Sequence, residues 1–422
     1  MVGRRSLAAR LRPRYYGWYV VAACNAVAFI TWGVGVYSQG VFLAYYANVY
    51  GWSRGAMSTA PTLFFVCAGA GGFVVGRLIE GIGPRRVLLL GACVMAAGGL
   101  ALGSARELWQ VYPSFVLLAG GYVCLHTVTL GAIISRWFDR LRSRAMGAAT
   151  FAASFGGMVL APLAAAAMDR SGAIAGGALL AVTSVALVVP AVLFVIKDRP
   201  EDVGQSVDGE AEDAVIAAAG AAQPVARETR ALLREPALWA IGLAYHLAMV
   251  SQGGFLVHQV LFLSPSFGFV AAAGVVSATT IAGVVGRLAY TVWGDRWPTR
   301  RIMAATFALQ AVGMLISATG ASPGQLLLGS IVFGLTVGVI VTTPPVIVAE
   351  CFGRASFSRA YGPVYLMIQL GSAVGPPVLG SLVEATGGYT LGLVAQGIGL
   401  IFAALLILRA RPGLAWQRRE LP

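Results

Sequence analysis

One arginine, Arg287, lies deep inside a long apolar segment that contains no carboxylate to pair with it. The other 29 of the 30 Lys+Arg residues, and all 17 Asp+Glu residues, fall at predicted helix ends, in loops or at the termini. A cation at the centre of a bilayer costs about 2.5 kcal/mol or more, so it persists only where it has a function. A guanidinium group presents a planar fork of donors that matches a carboxylate. Arg287 is therefore predicted to bind an anionic group from outside the protein.

The chain has 3 histidines, and all of them fall in apolar segments: His126, His246 and His258. An imidazole titrates near physiological pH, so a histidine at membrane depth is able to carry a proton. We assign that role to His258, on a segment that also carries Gln252. A hydrogen bond between packed helices remains the alternative for each histidine.

Polar side chains also recur at helical spacing on otherwise apolar segments, where they usually face protein or water. These stripes are Tyr122, His126 and Thr129; Tyr361, Tyr365, Gln369 and Ser372; and Asn25, Trp32 and Tyr37. A binding cavity and hydrogen bonds between helices explain them equally well. The predicted binding residues are Arg287, Tyr122, His258, Tyr365, Gln369, Trp32 and Asn25, and His258 and Arg287 are also predicted to couple to a proton.

The composition indicates the elements that must position these residues. The chain is 58% hydrophobic and 11% charged, and its mean hydropathy is +0.78, which is typical of a membrane protein. Segments of roughly 20 apolar residues, enough to cross the bilayer, recur along it. The sequence predicts an all-α fold of twelve spans: 18–43, 57–79, 86–106, 109–135, 145–168, 173–196, 237–263, 267–293, 302–320, 325–349, 359–383 and 388–409. The first is too long for the apolar region of a signal peptide, so it is kept as a span.

Positive charge predicts the orientation of the spans. With the N-terminus in the cytoplasm, 26 of the 30 Lys+Arg residues fall on the cytoplasmic side, and only Arg54, Arg106 and Arg170 on the outer side. The net charge of +13 is therefore interpreted as a topology signal. Nucleic-acid binding is not expected, because the basic residues are spread over many loops and form no single face.

Six spans, a polar segment and six further spans follow one another. The predicted division is an N-terminal six-helix bundle (1–196), a cytoplasmic linker (197–235) that ends in a short amphipathic helix at 227–234, and a C-terminal bundle (236–422). The turns after spans 2 and 8 repeat one pattern, an acid followed by a basic pair. These residues are interpreted as a latch between conformations, with simple positive-inside anchoring as the alternative: Glu80, Arg85, Arg86, Asp295, Arg300 and Arg301. Glycine and proline occupy matching places in spans 5 and 11. They are interpreted as surfaces on which the helices slide, with ordinary tight packing as an equal alternative.

Repeated halves around a midplane site are typical of alternating-access transporters. With twelve spans in two halves and GRLIEGIGPRR at 76–86, the chain resembles the major facilitator superfamily. Several motifs are similar to its bacterial oxalate/formate antiporter and monocarboxylate transporter branch: YGWYVV at 16–21, YSQGVF at 37–42, GWSR at 51–54, RWF at 136–138, RAMG at 144–147 and RPEDVG at 199–204. The resemblance implies two pseudo-symmetric six-helix bundles, and it implies that Arg287 binds the carboxylate of a substrate.

The chain also departs from these relatives. Oxalate/formate antiporters have a lysine in span 11, where this chain has Gln369, so one cation favours a monoanion. Animal monocarboxylate transporters have a lysine where Tyr37 stands and an aspartate where Gly283 stands. Their proton mechanism therefore does not transfer intact.

The leading hypothesis is a proton-coupled symporter of small monocarboxylates, lactate- or pyruvate-like. An anion exchanger and a carboxylate sensor that does not transport remain alternatives. No nucleophile–base pair or metal-binding spacing is present, and the 5 cysteines form no framework, so neither an enzyme nor a cofactor is expected. The expected partners are the carboxylate, a proton and the lipid bilayer, for a monomer in a bacterial inner membrane with both termini in the cytoplasm.

Overall fold

The computed structural model of the chain describes residues 15–139, 141–209 and 229–411, and every regular element among them is helical. The first half forms α1 Gly17–Trp32, a π-helical turn Gly33–Tyr37, α2 Ser38–Tyr50, α3 Arg54–Ile82, α4 Pro84–Gly103, α5 Leu108–Leu125, α6 Thr127–Trp137, α7 Arg142–Ala149, α8 Ala153–Pro190 and a π-helical turn Ala191–Val195. The second half forms α9 Pro236–Phe267, α10 Phe269–Trp293, α11 Thr299–Ala318, α12 Pro323–Thr342, α13 Pro344–Thr386 and α14 Thr390–Ile407.

The predicted fold class is confirmed. Among the described residues, 10 helices are long and apolar enough to cross a membrane, and the bent pair Gly55–Gly72 and Val74–Ile82 makes up to 11. One of the 10, Arg144–Val195, is 52 residues long. It contains Gly172 at φ 78°, a left-handed conformation that glycine adopts without strain. Gly172 turns the chain back on itself, so this stretch holds spans 5 and 6, and the predicted twelve spans are accounted for.

The spans form two six-helix bundles with two distinguishable ends. The basic end carries Tyr15, the turn at Gly83 and the segment from Lys197; the far end carries the turns at Gly172 and Gly268. Between the bundles, the chain makes short 3₁₀ turns at Pro200–Val203 and Val207–Gly209 and a helical turn at Thr229–Leu232. Residues 210–228 of the predicted linker, and the start of its predicted helix, lie outside the described residues. The exact domain bounds stay a prediction.

Glycines allow helices to cross closely at matching places in the two halves. A Cβ on Gly156 in α8 would lie 2.2 Å from the Phe29 carbonyl oxygen of α1. A Cβ on Gly375 in α13 would lie 2.3 Å from the Val250 carbonyl oxygen of α9. Neither position has room for a side chain, because the obstacle in each case is backbone. The glycines predicted in spans 5 and 11 therefore pack spans 1 and 7 against them.

The two bundles contact each other through the half of the molecule next to the far end. Ser53 Oγ donates to Glu384 Oε1 at 2.8 Å, and Ser277 Oγ donates to the Met158 carbonyl at 2.6 Å. At Gly40, a Cβ would lie 2.6 Å from the Val257 carbonyl oxygen. Each of these contacts joins the first half of the chain to the second, so the interface is closed on this side.

Candidate functional site

Arg287 lies where the two bundles face each other in the interior. At about 1.5 Å per residue, it is roughly 27 Å along α10 from the far end. It is only partly buried, and its Nε has no hydrogen-bond partner. Within the described part of the chain, no carboxylate forms an ion pair with it. Across the interface, Tyr37 of span 1 is close enough to interact electrostatically with the guanidinium group. Arg287 is thus a deep cation with free donor capacity.

Span 4 is broken at His126, beside this region. The backbone of His126 is extended, with φ −85° and ψ −173°, and it separates α5 from α6. A break in a span frees backbone groups that need other partners, and Thr31 Oγ1 in span 1 donates to the freed Leu125 carbonyl at 3.2 Å. Thr127 Oγ1 lies 2.7 Å from His126 Nδ1, and His126 Nε2 has no partner.

The break alters the predicted stripe on span 4 and still leaves two of its members together. Tyr122 and His126 are stacked, with ring centroids 4.5 Å apart, and Trp32 of span 1 lies 5.9 Å from the His126 ring. Thr129 falls on the second helix, fully buried, with its Oγ1 unpartnered. The even spacing that suggested one continuous face does not hold, because the helix is interrupted between its members.

Span 11 brings its polar stripe to the same interface. Tyr365 is close enough to interact electrostatically with Thr127 and Tyr122, both on span 4. Three turns further along α13, the Pro376 carbonyl lies 3.1 Å from His258 Nε2. Gln369 lies between these two points on the same helix face and is partly buried. Trp32, Tyr122, Tyr365 and Gln369 thus all lie at the inner faces of the bundles, as Arg287 does.

His258 lies nearer the far end than Arg287 does, at roughly 14 Å from the end of α9. It is 1% exposed, its Nε2 is 2.9 Å from Ser58 Oγ of span 2, and its Nδ1 is 3.2 Å from the Tyr389 hydroxyl. This arrangement joins the bundles where the far half closes. The structure does not bring His258 into the group around Arg287.

Asn25 is engaged in packing. Its Nδ2 donates to the Ala148 carbonyl at 2.6 Å and to the Val21 carbonyl at 3.2 Å, and its Oδ1 accepts from the Ala152 amide at 2.8 Å. These bonds tie α1 to the end of α7 and to the residues just before α8. Both ends of the amide are occupied, so Asn25 is left out of the candidate site.

The repeated basic pairs lie at the basic end, as expected from their places in the sequence. Arg85 donates to the carbonyls of Val192 and Leu193, at 3.2 and 3.4 Å, and lies 4.0 Å from Asp198. Arg136 lies 3.7 Å from the same carboxylate. Glu80, Arg86 and Arg301 are exposed, Arg300 is partly exposed, and the Asp295 side chain is outside the described residues. In the first half, then, Arg85 of the basic pair contacts the end of span 6 and Asp198 of the linker.

Tyr37, Thr127 and Ser58 are three site residues that sequence reasoning did not select. Tyr37 was noted only as part of a polar stripe, and the other two are small hydroxyl residues of an ordinary kind. The Thr127-Val128-Thr129 run was the available signal for the break, because β-branched residues have lower helix propensity. Ser58 gave no signal, since its partner His258 is 200 residues away.

Comparison with known proteins agrees with this architecture. The sequence model of the Major Facilitator Superfamily, a protein family, matches residues 21–289 and 266–422. The solved structure of the nucleoside transporter NupG superimposes with a TM-score of 0.71 at 13% identity, covering 94% of this chain and 100% of that one. The chain belongs to the major facilitator superfamily. It is a multi-pass membrane carrier and not an enzyme.

Animal monocarboxylate transporters are among the relatives. Monocarboxylate transporter 12 of Rattus norvegicus is 28% identical over 96% of this chain and 88% of its own length. Monocarboxylate transporter 13 of Bos taurus is 27% identical over 92% of this chain and 87% of its own length. These similarities agree with the monocarboxylate branch that the sequence motifs indicated.

Proposed function

We propose that the chain is a secondary transporter that carries a small monocarboxylate, lactate- or pyruvate-like, across the membrane by alternating access. Arg287 binds the carboxylate through its guanidinium fork. The observation that carries this proposal is a partly exposed cation at membrane depth, with an unpartnered Nε and no carboxylate paired to it in the described residues. The names of the relatives support the same class of substrate.

Transport is coupled to a proton in this proposal. Moving an unoccupied Arg287 through a dry interior is costly, and a bound carboxylate cancels its charge. A proton that travels with the anion keeps the whole cargo neutral. In an anion exchanger, Arg287 would instead have to be occupied in both directions. One buried cation also favours one carboxylate over two.

The bundles rock about the Arg287 region, opening each end in turn. The closed far half is one end state, and the basic pairs at the other end act as the latch. We also propose that the basic end faces the cytoplasm, because cytoplasmic loops carry an excess of Lys and Arg. The division at residues 197–235 and the bacterial inner membrane belong to the same proposal.

Reconstitution into proteoliposomes tests the function. We expect labelled lactate or pyruvate to enter faster when the outside is more acidic, and substrate to draw protons inward with it. Arg287→Ala is expected to abolish uptake, and Arg287→Lys to recover little, because a point charge lacks the fork. Arg296→Ala is the matched control, since Arg296 is exposed at the basic end and is expected to leave uptake unchanged.

The results separate the alternatives. Uptake only into vesicles preloaded with a carboxylate indicates exchange. Binding without any flux indicates a sensor. Near-normal uptake by folded Arg287→Ala protein contradicts the assignment of the carboxylate site.

A further inference from the structure

Aromatic side chains from both bundles gather at the depth of Arg287. Trp32 and His126 each lie roughly 27 Å from the far end along their helices, as Arg287 does. Tyr122 stands one turn away on span 4. Tyr365 of span 11 is close enough to interact with it, and Tyr361 lies one turn from Tyr365 toward the basic end. These five side chains, Trp32, Tyr122, His126, Tyr361 and Tyr365, are called the aromatic pocket below.

The rings of the aromatic pocket form two walls. On the first bundle, Tyr122 and His126 are stacked at 4.5 Å with an interplanar angle of 27°, and Trp32 lies 5.9 Å from His126. On the second bundle, Tyr361 and Tyr365 lie 5.9 Å apart, and Phe357 stacks behind Tyr361 at 5.3 Å. Tyr365 of the second wall is close enough to Thr127 and Tyr122 to interact with them electrostatically. Flat faces therefore border the space from both sides.

Two observations indicate that the walls border a cavity. Trp32, His126, Tyr361 and Tyr365 are each partly exposed although they lie deep in the molecule. His126 Nε2 is buried and has no hydrogen-bond partner, and such a group is costly unless something binds it. Pockets for small molecules typically combine aromatic walls with a few polar groups.

Span 1 connects the aromatic pocket to Arg287. Tyr37, which interacts with the guanidinium group, ends the π-helical turn Gly33–Tyr37. Within that turn, a Cβ on Gly35 would lie 2.7 Å from the Tyr122 ring. Trp32 immediately precedes the turn. The cation and the wall on the first bundle therefore both border residues 32–37 of span 1.

We propose that the preferred substrate is an aryl or heteroaryl monocarboxylate. Its carboxylate binds Arg287, its ring lies between the two walls, and His126 Nε2 hydrogen-bonds a ring heteroatom or substituent. This inference rests on the proposed function, since it assigns the carboxylate to Arg287. It goes further by naming the body of the substrate. A lactate-sized ligand fills the carboxylate site and leaves the aromatic pocket empty.

Ligand binding to the purified full-length protein tests the proposal, because aryl carboxylic acids cross lipid unaided and blur uptake assays. The probes are benzoate, cyclohexanecarboxylate, which has a similar size and no π face, and lactate. Ring stacking contributes about 0.5–1.5 kcal/mol beyond area burial. We therefore expect benzoate to bind roughly 3- to 10-fold more tightly than cyclohexanecarboxylate.

Substitutions locate the effect. Trp32→Leu is expected to remove most of the preference for benzoate over cyclohexanecarboxylate, measured as the ratio of the two affinities in the same variant. Trp109→Leu is the control, since Trp109 is 62% exposed near the far end. Tyr361→Leu provides a second variant from the opposite wall if Trp32→Leu does not fold. His126→Ala is compared with the control His246→Ala. In the unsubstituted protein, His246 Nδ1 lies 2.9 Å from the Met367 carbonyl inside the second bundle.

The outcomes distinguish this inference from the function on which it rests. Equal affinities for benzoate and cyclohexanecarboxylate, with lactate still bound through Arg287, overturn the aryl preference alone. A preference that survives both Trp32→Leu and Tyr361→Leu overturns the location of the ring. If Arg287→Ala still binds both lactate and benzoate, the proposed function is overturned as well.

Discussion

Arg287 and His258 lie on adjacent helices and at different depths, and their surroundings differ in kind. Arg287 has an unpartnered Nε and partial exposure. His258 is buried among groups of both bundles: Ser58, the Pro376 carbonyl and Tyr389. A carboxylate bound at Arg287 does not reach His258 in this conformation. His258 is therefore expected to influence proton coupling through the opening and closing of the far half, and not through contact with the substrate.

Uptake is expected to rise as the external pH falls, and His258→Ala is expected to weaken that dependence. Protonation turns the acceptor nitrogen of the imidazole into a donor and so rearranges its bonds to Ser58 and Tyr389. The measurement is initial uptake rate against external pH in proteoliposomes, with His246→Ala as the control. A full pH dependence in His258→Ala would assign the proton to another group.

Gln369→Lys is expected to shift preference from monocarboxylates toward dicarboxylates. Gln369 lies on the face of span 11 that meets the first bundle, so an ammonium there adds a second cation to the same interior. Burial favours the neutral amine, which reduces the effect. Competition by oxalate and malonate against labelled monocarboxylate uptake measures it. An active variant with an unchanged competition profile contradicts the argument that one cation selects one carboxylate.

At the scale of the element, two helices beside the candidate site are irregular. Span 1 changes to a π-helical turn at Gly33–Tyr37, and span 4 breaks at His126. Both irregularities border the space next to Arg287. Broken helices at membrane depth are tolerated where protein or a water-filled cavity surrounds the freed backbone groups. The turn in span 1 is fully buried and packs closely against Gly156 of span 5, whereas His126 at the break in span 4 is partly exposed.

Gly375→Ala is expected to destabilise the protein, whereas Gly399→Ala is not. The added methyl of Gly375→Ala meets the Val250 carbonyl, and overpacking of this kind costs about 1–3 kcal/mol. Gly399, in α14, has no atom within 4 Å of its Cβ position, so alanine there is tolerated and lowers chain entropy in the unfolded state. Thermal unfolding of both variants in detergent is the measurement. Equal melting temperatures of the two variants would show that spans 7 and 11 move apart to accommodate the methyl without loss of stability.

At the scale of the whole molecule, the two bundles form one closed interface at the far end. The polar contacts that join them there include hydroxyl hydrogen bonds at Ser53, Ser58 and Ser277, and the helices approach closely at Gly40. Individual hydrogen bonds of this kind contribute about 0.5–1.5 kcal/mol each. An interface built in this way is suited to opening and closing, because no single contact dominates it.

A cysteine introduced as Ser58→Cys is expected to report this opening. In a background without the 5 native cysteines, we expect slow reaction with a membrane-impermeant thiol reagent in the closed state and a changed rate when substrate is present. Leu118→Cys is the control, since Leu118 is equally buried and packs against Gly98 within one bundle. Identical rates for both cysteines under all conditions would contradict alternating access.

The sequence by itself determined the spans, their order and the deep cation. Apolar segments of membrane length are local properties, and so is a charge inside one of them, so both can be read without knowledge of distant residues. The pairing of the halves followed from the repeated turns after spans 2 and 8. The family followed from motifs spread over the chain, and all of this agrees with the helices and the comparisons.

Only the tertiary structure decided which polar residues share a neighbourhood. Asn25 and His258 looked like binding residues because each is polar at membrane depth, yet the first ties α1 to the segment before α8 and the second joins the bundles near the far end. Tyr37 gained importance because it is close enough to Arg287, on the other bundle, to interact electrostatically with the guanidinium group. These partners are distant in sequence. Helical spacing fixes the face on which a residue lies, and packing between helices fixes what that face meets.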